Sequence, residues 1–502
     1  MRRHLLSRAA LVLGFVSFLA LPAQAADRWV LVASDHFDVV GNTADANLRR
    51  VAQTMEHFHG VVVESILKTA AQHGGRATVL VFKDQFSFEQ FTPRVAGRGM
   101  INGFFVFSDT REILALNAEN LGSALRTVLN GHSRAVATNI SGELPNWLSS
   151  GLGRVYESFE ERDGGKGAMI GRPDANLVGI LKGATLIPLT RLVALTSESP
   201  GMVPGSAQRS LYEAECWALV HYLSFGPRRP QFQAYMASLH GGVAPEQAFV
   251  EAFGDGPALE SELADYTRKF LFPAMQIVFD EKQTPSLPAR GTVLSEADAE
   301  GFLSAFMSYT GQGPQARTRL EKVLATAPKS ARALAALAEI DVADNRKVQA
   351  IARLEEAVAV APDDQQIQST LGHVRALWVS EAGEAATAAD VQAARAALTR
   401  AVALQPNDVV ATAELGWMYL FAPADPARAE ASLLRAVALN RGKDQYLLWL
   451  ADAFIRQRKY DEGRKLLGPL MARGSSPDIR NAARTILGEM ARLQRQDTAA
   501  PR

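Results

Sequence analysis

Apolar residues recur with two different periods along the chain, and the period changes from one half to the other. In the N-terminal half, the segments 28–41, 77–84 and 103–117 have the short apolar or alternating runs of strands, and a polar "SDTR" turn divides the last segment in two. A helical pattern covers 44–72 between the first two segments. This mixture predicts an α+β domain with a small mixed sheet.

From Leu121 onward the apolar period is helical almost throughout. The helices predicted for the rest of the N-terminal half are 121–139, 144–160, 208–225, 230–240, 245–253 and 257–271. The segment 272–294 contains three prolines and is predicted to link this domain to the C-terminal half.

The C-terminal half repeats itself. Related heptapeptides end at Pro328, Pro362, Pro406 and Arg441, at spacings of 34, 44 and 35 residues. Small residues stand ten positions after these four: Ala338, Gly372, Gly416 and Ala451. An alanine stands twelve positions before each proline: Ala316, Ala350 and Ala394. Units of two helices that cross at small residues and close with proline resemble the tetratricopeptide repeat, which implies an all-α solenoid over 295–490. Residues 491–502 are predicted to be a disordered tail.

Helical solenoids of this kind present a concave surface that usually binds a peptide or a partner protein. The sequence therefore predicts a protein or peptide partner in the solenoid groove, without identifying it. The alternative is a structural solenoid that binds no ligand.

The N-terminus has the pattern of a secretory signal. Arg2, Arg3 and Arg8 precede an apolar run at 10–22, and the small residues "AQA" end at Ala25. We expect cleavage after Ala25 and a periplasmic or secreted protein. An uncleaved anchor is the alternative, but the apolar run is shorter than the roughly 20 residues that span a bilayer. No later segment is apolar and long enough to span, so the mature chain is predicted to have no transmembrane segment.

Charge and cysteine content exclude several classes of function. Lys and Arg balance Asp and Glu at 53 each, and removal of residues 1–25 leaves a formal charge of −3, so no basic face for nucleic acid is indicated. Cys216 is the single cysteine, which excludes an intrachain disulfide and a multiple-cysteine zinc site. Its apolar helical surroundings indicate a packing role.

Several segments of the N-terminal half resemble, in their order, the peptidase-MA-like gluzincin domain of exported bacterial proteins, which is often fused to tetratricopeptide repeats. These segments are "SDHFDVVG" near the start, "LPNWLSSGLGRVYE" (144–157), "LIPLTRL" (186–192), "LYEAECWALVHYL" (211–223) and "PEQAFVEAFG" (245–254). The resemblance implies a gluzincin-like fold over residues 26–271.

The resemblance also implies a zinc site, and this sequence departs from it at every position. An active member carries HExxH on its central helix and a Glu ligand on the next helix. The matching residues here are Asn130 and Arg134 for the two His ligands, Gly131 for the catalytic Glu, and Ser150 for the third ligand. None of these four can perform the family's role. We therefore predict no metal, no cofactor and no catalytic residue of this type.

Arg126, Asn130 and Arg134 share one helix face because they are four residues apart. With Trp147 and Tyr212 they are the candidate lining of a surviving cleft. One hypothesis pairs Arg134 with Glu143, Glu157 or an acidic ligand. The alternative is a closed cleft, with Arg134 extending into solvent.

The histidines of the N-terminal half are interpreted as structural. His132 occupies a spacer position of the lost motif. His57 and His59 are two apart on a helix and point in different directions. His221 lies on an apolar helical stripe and is expected in the core, and the glycine-rich "RDGGKG" (162–167) is predicted to be a flexible loop.

These observations favour an exported, non-catalytic pseudo-peptidase whose solenoid makes it a binding scaffold in the cell envelope. The alternative function is a peptidase or hydrolase with an unrecognised or replaced active site in the same cleft. A purely structural domain is a third interpretation. Neither the oligomeric state nor the relative orientation of the two halves can be deduced from the sequence.

Overall fold

The computed structural model describes residues 27–67, 76–92, 101–108, 111–141, 144–196, 198–241, 243–440, 442–474 and 476–499. The predicted signal segment and Glu143 lie outside these residues.

The strands belong to two sheets. They are β1 Val30–Ala33, β2 Phe37–Gly41, β3 Ala77–Phe82, β4 Gly103–Phe107, β5 Glu112–Asn117, β6 Glu160–Arg162, β7 Gly167–Ile170, β8 Met275–Val278 and β9 Thr292–Val293. The larger sheet has the order β4-β5-β3-β2-β1-β9, and the smaller has the order β6-β7-β8. In the larger sheet β2, β3 and β5 are parallel, whereas β4, β1 and β9 pair antiparallel with their neighbours. The predicted small mixed sheet is thus confirmed.

Helices make up most of the described chain. Those of the N-terminal half are α1 Asp45–Leu67, α2 Gln85–Glu89, α3 Leu121–Ser141, α4 Asn146–Tyr156, α5 Ala175–Lys182, α6 Leu189–Ala194, α7 Ala207–Phe225, α8 Arg229–His240, α9 Pro245–Phe253 and α10 Pro257–Thr267. Those of the solenoid are α11 Glu296–Tyr309, α12 Gly313–Thr326, α13 Ala331–Ala343, α14 Lys347–Val360, α15 Gln365–Ala382, α16 Ala388–Leu404, α17 Val409–Met418, α18 Pro426–Leu439, α19 Asp444–Arg456, α20 Tyr460–Arg473 and α21 Pro477–Ala499.

Both faces of the larger sheet are buried, each against a different half of the chain. In β3, Val79 and Val81 face a core shared with α1 and α3, whereas Leu80 and Phe82 face a core shared with Phe306 of α11. Successive side chains of a strand point to opposite faces, so a fully buried strand needs an apolar residue at every position. The first helices of the solenoid therefore complete the core of the N-terminal domain.

The segment 272–294, predicted as a linker, is part of both sheets. β8 pairs with β7, and β9 pairs with β1 through Val30–Val293. Arg49 Nη1 also donates to the carbonyl of Ala289 over 2.6 Å. The connection therefore runs along the surface of the domain.

The solenoid consists of helix pairs with the predicted phase. α12, α14 and α16 end shortly before Pro328, Pro362 and Pro406. A Cβ atom on Gly372 would approach Leu398 Cδ2 to 2.6 Å, and one on Gly416 would approach Leu433 Cγ to 2.7 Å. The small residues are required because the two helices of a pair cross there. The prediction of the two-helix unit is confirmed.

The C-terminal tail, predicted to be disordered from residue 491, is helical as far as Ala499. Leu493 packs against the last apolar cluster, and Arg464 Nη2 donates to Gln494 Oε1 over 2.9 Å. That prediction is wrong for 491–499, because the apolar face of α21 continues past the last repeat.

Candidate functional site

The helix that would carry a zinc motif, α3, packs tightly on the edge strand β4. Its Gly131 lies so close to Phe105 that an added Cβ atom would be 2.4 Å from the ring carbon Cγ and 2.5 Å from Cδ1. Heavy atoms that are not bonded do not approach this closely, so no side chain fits at position 131 unless the Phe105 ring or its strand shifts. The position that matches the catalytic Glu is therefore filled by the neighbouring strand.

Asn130, which the family resemblance matches to the first zinc ligand, fills the space between α3 and α4. Its Nδ2 donates to Glu157 Oε2 over 2.8 Å. A Cβ atom on Gly153 of α4 would come within 2.7 Å of Asn130 Oδ1, so the two helices are in close contact. Asn130 thus acts as a structural hydrogen-bond donor to a buried carboxylate.

Glu157 belongs to a cluster of two arginines and two carboxylates between α4 and α7. Arg154 Nη1 lies 3.1 Å from Glu157 Oε1, and Arg154 Nη2 contacts Glu213 Oε2. Arg209 Nε lies 2.8 Å from Glu213 Oε1. Burial raises the pKa of Glu157 against the opposing effect of Arg154. For Glu213, the two arginines outweigh burial and lower its pKa.

Arg134 does not pair with Glu157 as hypothesised from the sequence. Its Nε donates to Ser149 Oγ over 3.0 Å, and the residue is exposed. Arg154 makes the ion pair with Glu157 instead, because it lies one helical turn before it on the same helix.

The remaining predicted positions are spread over different surroundings. Arg126 is 57% exposed and lies 3.3 Å from Asp174 Oδ2. Ser150 is half-buried on α4. Trp147 is buried on α4, against Tyr235 and Phe249. Tyr212 is buried, and burial raises the pKa of its hydroxyl. Arg126, Asn130 and Arg134 have three different partners: Asp174, Glu157 and Ser149.

His132 has a role that the sequence did not reveal. Its Nδ1 lies 2.7 Å from Glu112 Oε1, and its Nε2 lies 3.0 Å from His59 Nδ1. The His59 ring stacks on His36 at 4.4 Å, and His36 Nδ1 lies 2.7 Å from Glu56 Oε2. This chain of imidazoles with a carboxylate at each end ties α1, α3 and β5 together. Its members are up to 96 residues apart, from His36 to His132, so spacing alone could not indicate it.

His57 and His221 also make hydrogen-bonding contacts inside the domain. His57 Nδ1 lies 2.6 Å from Glu161 Oε1, in a direction different from that of His59. His221 is fully buried, with Tyr266 Oη at 2.7 Å and the Gly171 carbonyl at 2.6 Å. Burial lowers the pKa of His221 to about 4.

The "RDGGKG" segment is the turn of the β6–β7 hairpin, with Asp163, Gly164 and Gly165 at positive φ. Within the described part of the chain, no group of three or more His, Cys, Asp or Glu side chains is arranged to hold a metal ion.

A cleft of about 310 Å³ separates the β4–β5 hairpin from the solenoid. The hairpin contributes Phe107, Ser108, Arg111 and Glu112 to its lining. The solenoid lines it with the starts of α15, α17 and α19, which are the first helices of three successive repeats. At one end, Arg111 forms a buried ion pair with Glu339 of α13, so the hairpin is anchored to the solenoid.

Residues 310–373 match the tetratricopeptide repeat family. The chain therefore contains tetratricopeptide repeats, and the predicted class of the C-terminal half is confirmed. Families of this type form scaffolds that bind proteins.

Three solved structures illustrate the likeness. A thermophilic TPR protein of Thermus thermophilus is 20% identical, with 38% of this chain and 98% of that chain covered and a TM-score of 0.30. YrrB, described as a TPR protein with an unusual peptide-binding site, is 15% identical. The match covers 38% of this chain and 92% of YrrB, with a TM-score of 0.32. PilF of Pseudomonas aeruginosa is 22% identical. The match covers 41% of this chain and 93% of PilF, with a TM-score of 0.30. No curated protein sequence matches the chain significantly.

Across the described residues, none of the helices combines the length and the apolar character needed to cross a membrane.

Proposed function

We propose that this protein is an exported, non-catalytic scaffold: a gluzincin-like pseudo-peptidase domain that holds a tetratricopeptide solenoid and, with it, binds a protein or peptide. The observation that carries the proposal is that the residues matched to the catalytic motif are taken up by packing and by hydrogen bonds within the domain. Gly131 is packed against Phe105, and Asn130 and Arg134 are hydrogen-bonded to Glu157 and Ser149. These contacts are structural ones, and the residue types are poor zinc ligands.

The cleft between the β4–β5 hairpin and the solenoid is the proposed partner site. Side-chain amides of Gln365, Gln366 and Asn440 line it together with the apolar Val409 and Val410. Amides both donate and accept hydrogen bonds, as does a peptide backbone, and the valines offer contact area to apolar side chains. This lining suits a short extended peptide segment of a partner. Export to the periplasm rests on the signal pattern at 1–25.

Metal analysis and peptidase assays test the catalytic half of the proposal. The purified protein should contain no stoichiometric zinc and should not cleave a general peptidase substrate such as casein. Stoichiometric zinc, or cleavage abolished by a chelator, would favour the alternative of a peptidase with a replaced site.

Peptide selection tests the binding half. Random heptapeptides displayed on phage should enrich on the purified protein, and fluorescence polarisation of the enriched peptides measures the affinity. Val410→Glu places a charge in the cleft and should weaken binding at least tenfold. Val348→Glu is the matched control, because Val348 is 60% exposed on α14 and does not line the cleft. Equal affinity of the two variants would place the partner site elsewhere.

A further inference from the structure

A second cavity, of about 320 Å³, opens in the N-terminal domain between α4, α6, α8 and α9. It shares no lining residue with the cleft at the solenoid, and none of the four former zinc-site positions lines it. Its volume is near the lower end of the roughly 300–1,000 Å³ typical of small-molecule sites.

Three aromatic rings form its wall. Trp147 and Tyr235 are nearly parallel, with ring centroids 5.9 Å apart and an interplanar angle of 23°. Phe249 is perpendicular to both at 88°, with centroids 6.0 Å from Trp147 and 6.1 Å from Tyr235. Trp147 and Tyr235 are each only 1% exposed and close the inner end of the cavity, whereas Phe249 is half-buried. The face of an aromatic ring attracts a cation, so the Phe249 ring is the one that a ligand can reach.

The charges at the cavity have one sign. Glu246 and Asp255 line it and are exposed, and its described lining contains no Lys, Arg or His. An exposed acid at the mouth of an aromatic cavity favours a ligand that carries a positive charge on an apolar group.

A buried polar atom lacks a partner in the same place. Tyr235 is only 1% exposed, and its hydroxyl has no hydrogen-bond partner among the described residues. Leaving such a group unpaired costs roughly 1–3 kcal/mol, so it points to a ligand or water that pairs with it.

We propose that this cavity binds an ammonium group carried on an apolar ligand, with the Phe249 ring beside the apolar part and Glu246 and Asp255 beside the charge. A free organic amine and the side chain of a lysine in a peptide share this chemistry.

Isothermal titration calorimetry on the purified protein tests the proposal with three probes. Phenethylammonium should bind about tenfold more tightly than the neutral phenethyl alcohol, because only the cation gains from the Phe249 ring face and the two acids. N-acetyl-lysine methylamide distinguishes the two sources: affinity comparable to that of phenethylammonium indicates a lysine side chain, and weaker binding indicates a free amine.

Two sets of variants show where the probes bind. The double variant Glu246→Gln/Asp255→Asn should weaken the binding of phenethylammonium by up to about tenfold. The affinity for phenethyl alcohol should stay unchanged. Glu251→Gln on the same helix is the matched control, because Glu251 is exposed and does not line the cavity. Tyr235→Phe should raise the melting temperature of the free protein and weaken the binding of phenethylammonium. Equal affinity for the cation and the alcohol, or an unchanged cation affinity in the double variant, would overturn the proposal.

Discussion

Gly131 and Phe105 are in direct contact across the interface between α3 and the edge strand β4. A Cβ atom at position 131 would lie 2.4–2.7 Å from three atoms of the Phe105 ring. Glycine in a helix interior costs about 1 kcal/mol relative to alanine. The glycine is therefore explained by packing, at the position where the family resemblance would place a catalytic glutamate.

We expect Gly131→Ala to destabilise the protein by about 1–3 kcal/mol, because the clash with Phe105 outweighs the gain in helix propensity. Urea unfolding followed by circular dichroism measures the change. Gly122→Ala on the same helix is the control: Gly122 has nothing within 4 Å of an added Cβ, so alanine should stabilise by up to about 1 kcal/mol. Stabilisation by both substitutions would contradict the close contact.

Arg154 forms ion pairs with two carboxylates, Glu157 and Glu213, between α4 and α7. Arg154→Met should destabilise by about 1–3 kcal/mol, because Glu157 loses its ion-pair partner in a buried position and Glu213 keeps only Arg209. Arg268→Met is the comparison, since Arg268 and its partner Asp265 are 76% and 73% exposed. We expect that change to stay within about 0.5 kcal/mol. A similar effect of both substitutions in chemical unfolding would argue against a structural role for the cluster.

The buried Glu215 should make stability depend on pH. Burial raises its pKa to about 7, and its Oε1 accepts a hydrogen bond from the Ile187 amide over 2.8 Å. Its pKa in the unfolded chain is about 4.3, so between these values the folded state holds the proton that the unfolded state has released. The free energy of unfolding therefore falls as pH rises from about 4 to 8, on the order of 3–4 kcal/mol from this group.

Glu215→Gln should remove this contribution, so the variant gains stability relative to the wild type as pH rises. Unfolding midpoints of both proteins between pH 5 and pH 8 measure the effect. The comparison with the variant is needed because His221, whose pKa burial lowers to about 4, has the opposite dependence: its stabilisation is lost as pH falls below about 6.5. Parallel pH profiles for the two proteins would refute the assignment to Glu215.

Arg111 and Glu339 form a buried ion pair between the β4–β5 hairpin and α13. In a double-mutant cycle, Arg111→Met and Glu339→Gln should show a coupling energy of about 1–3 kcal/mol. The control cycle uses Arg400 and Asp363, whose side chains are 47% and 75% exposed, and its coupling should be below about 0.5 kcal/mol. Absence of coupling between Arg111 and Glu339 would mean that the hairpin is not held on the solenoid by this pair.

Patterns within short stretches of the sequence were sufficient to predict much of the fold. The alternating strands, the 3.6-residue period of the helices and the phase of proline and small residues predicted the sheet and the helix pairs, because each signal arises within one element or between neighbours in the chain. The helical tail was missed because its order depends on packing against the preceding helices, as Leu493 shows.

The candidate site was predictable only in part. The positions that the resemblance matches to the zinc motif, Asn130, Gly131, Arg134 and Ser150, can be read from the chain, but their partners cannot. Nothing near Gly131 in sequence indicates Phe105, and nothing near His132 indicates His59. The exchange of Arg134 for Arg154 as the partner of Glu157 depends on which side chain reaches the carboxylate when α3 and α4 are packed.

The sequence by itself thus determined the two classes of element, the repeat unit and the absence of the zinc-binding residue types at the matched positions. Only the tertiary structure decided that the first repeat covers the second face of the sheet, that Arg111 meets Glu339 across 228 residues of chain, and that a cleft remains between hairpin and solenoid. The physical reason is that periodicity records which side of an element is apolar, whereas the identity of the surface that covers it depends on long-range packing.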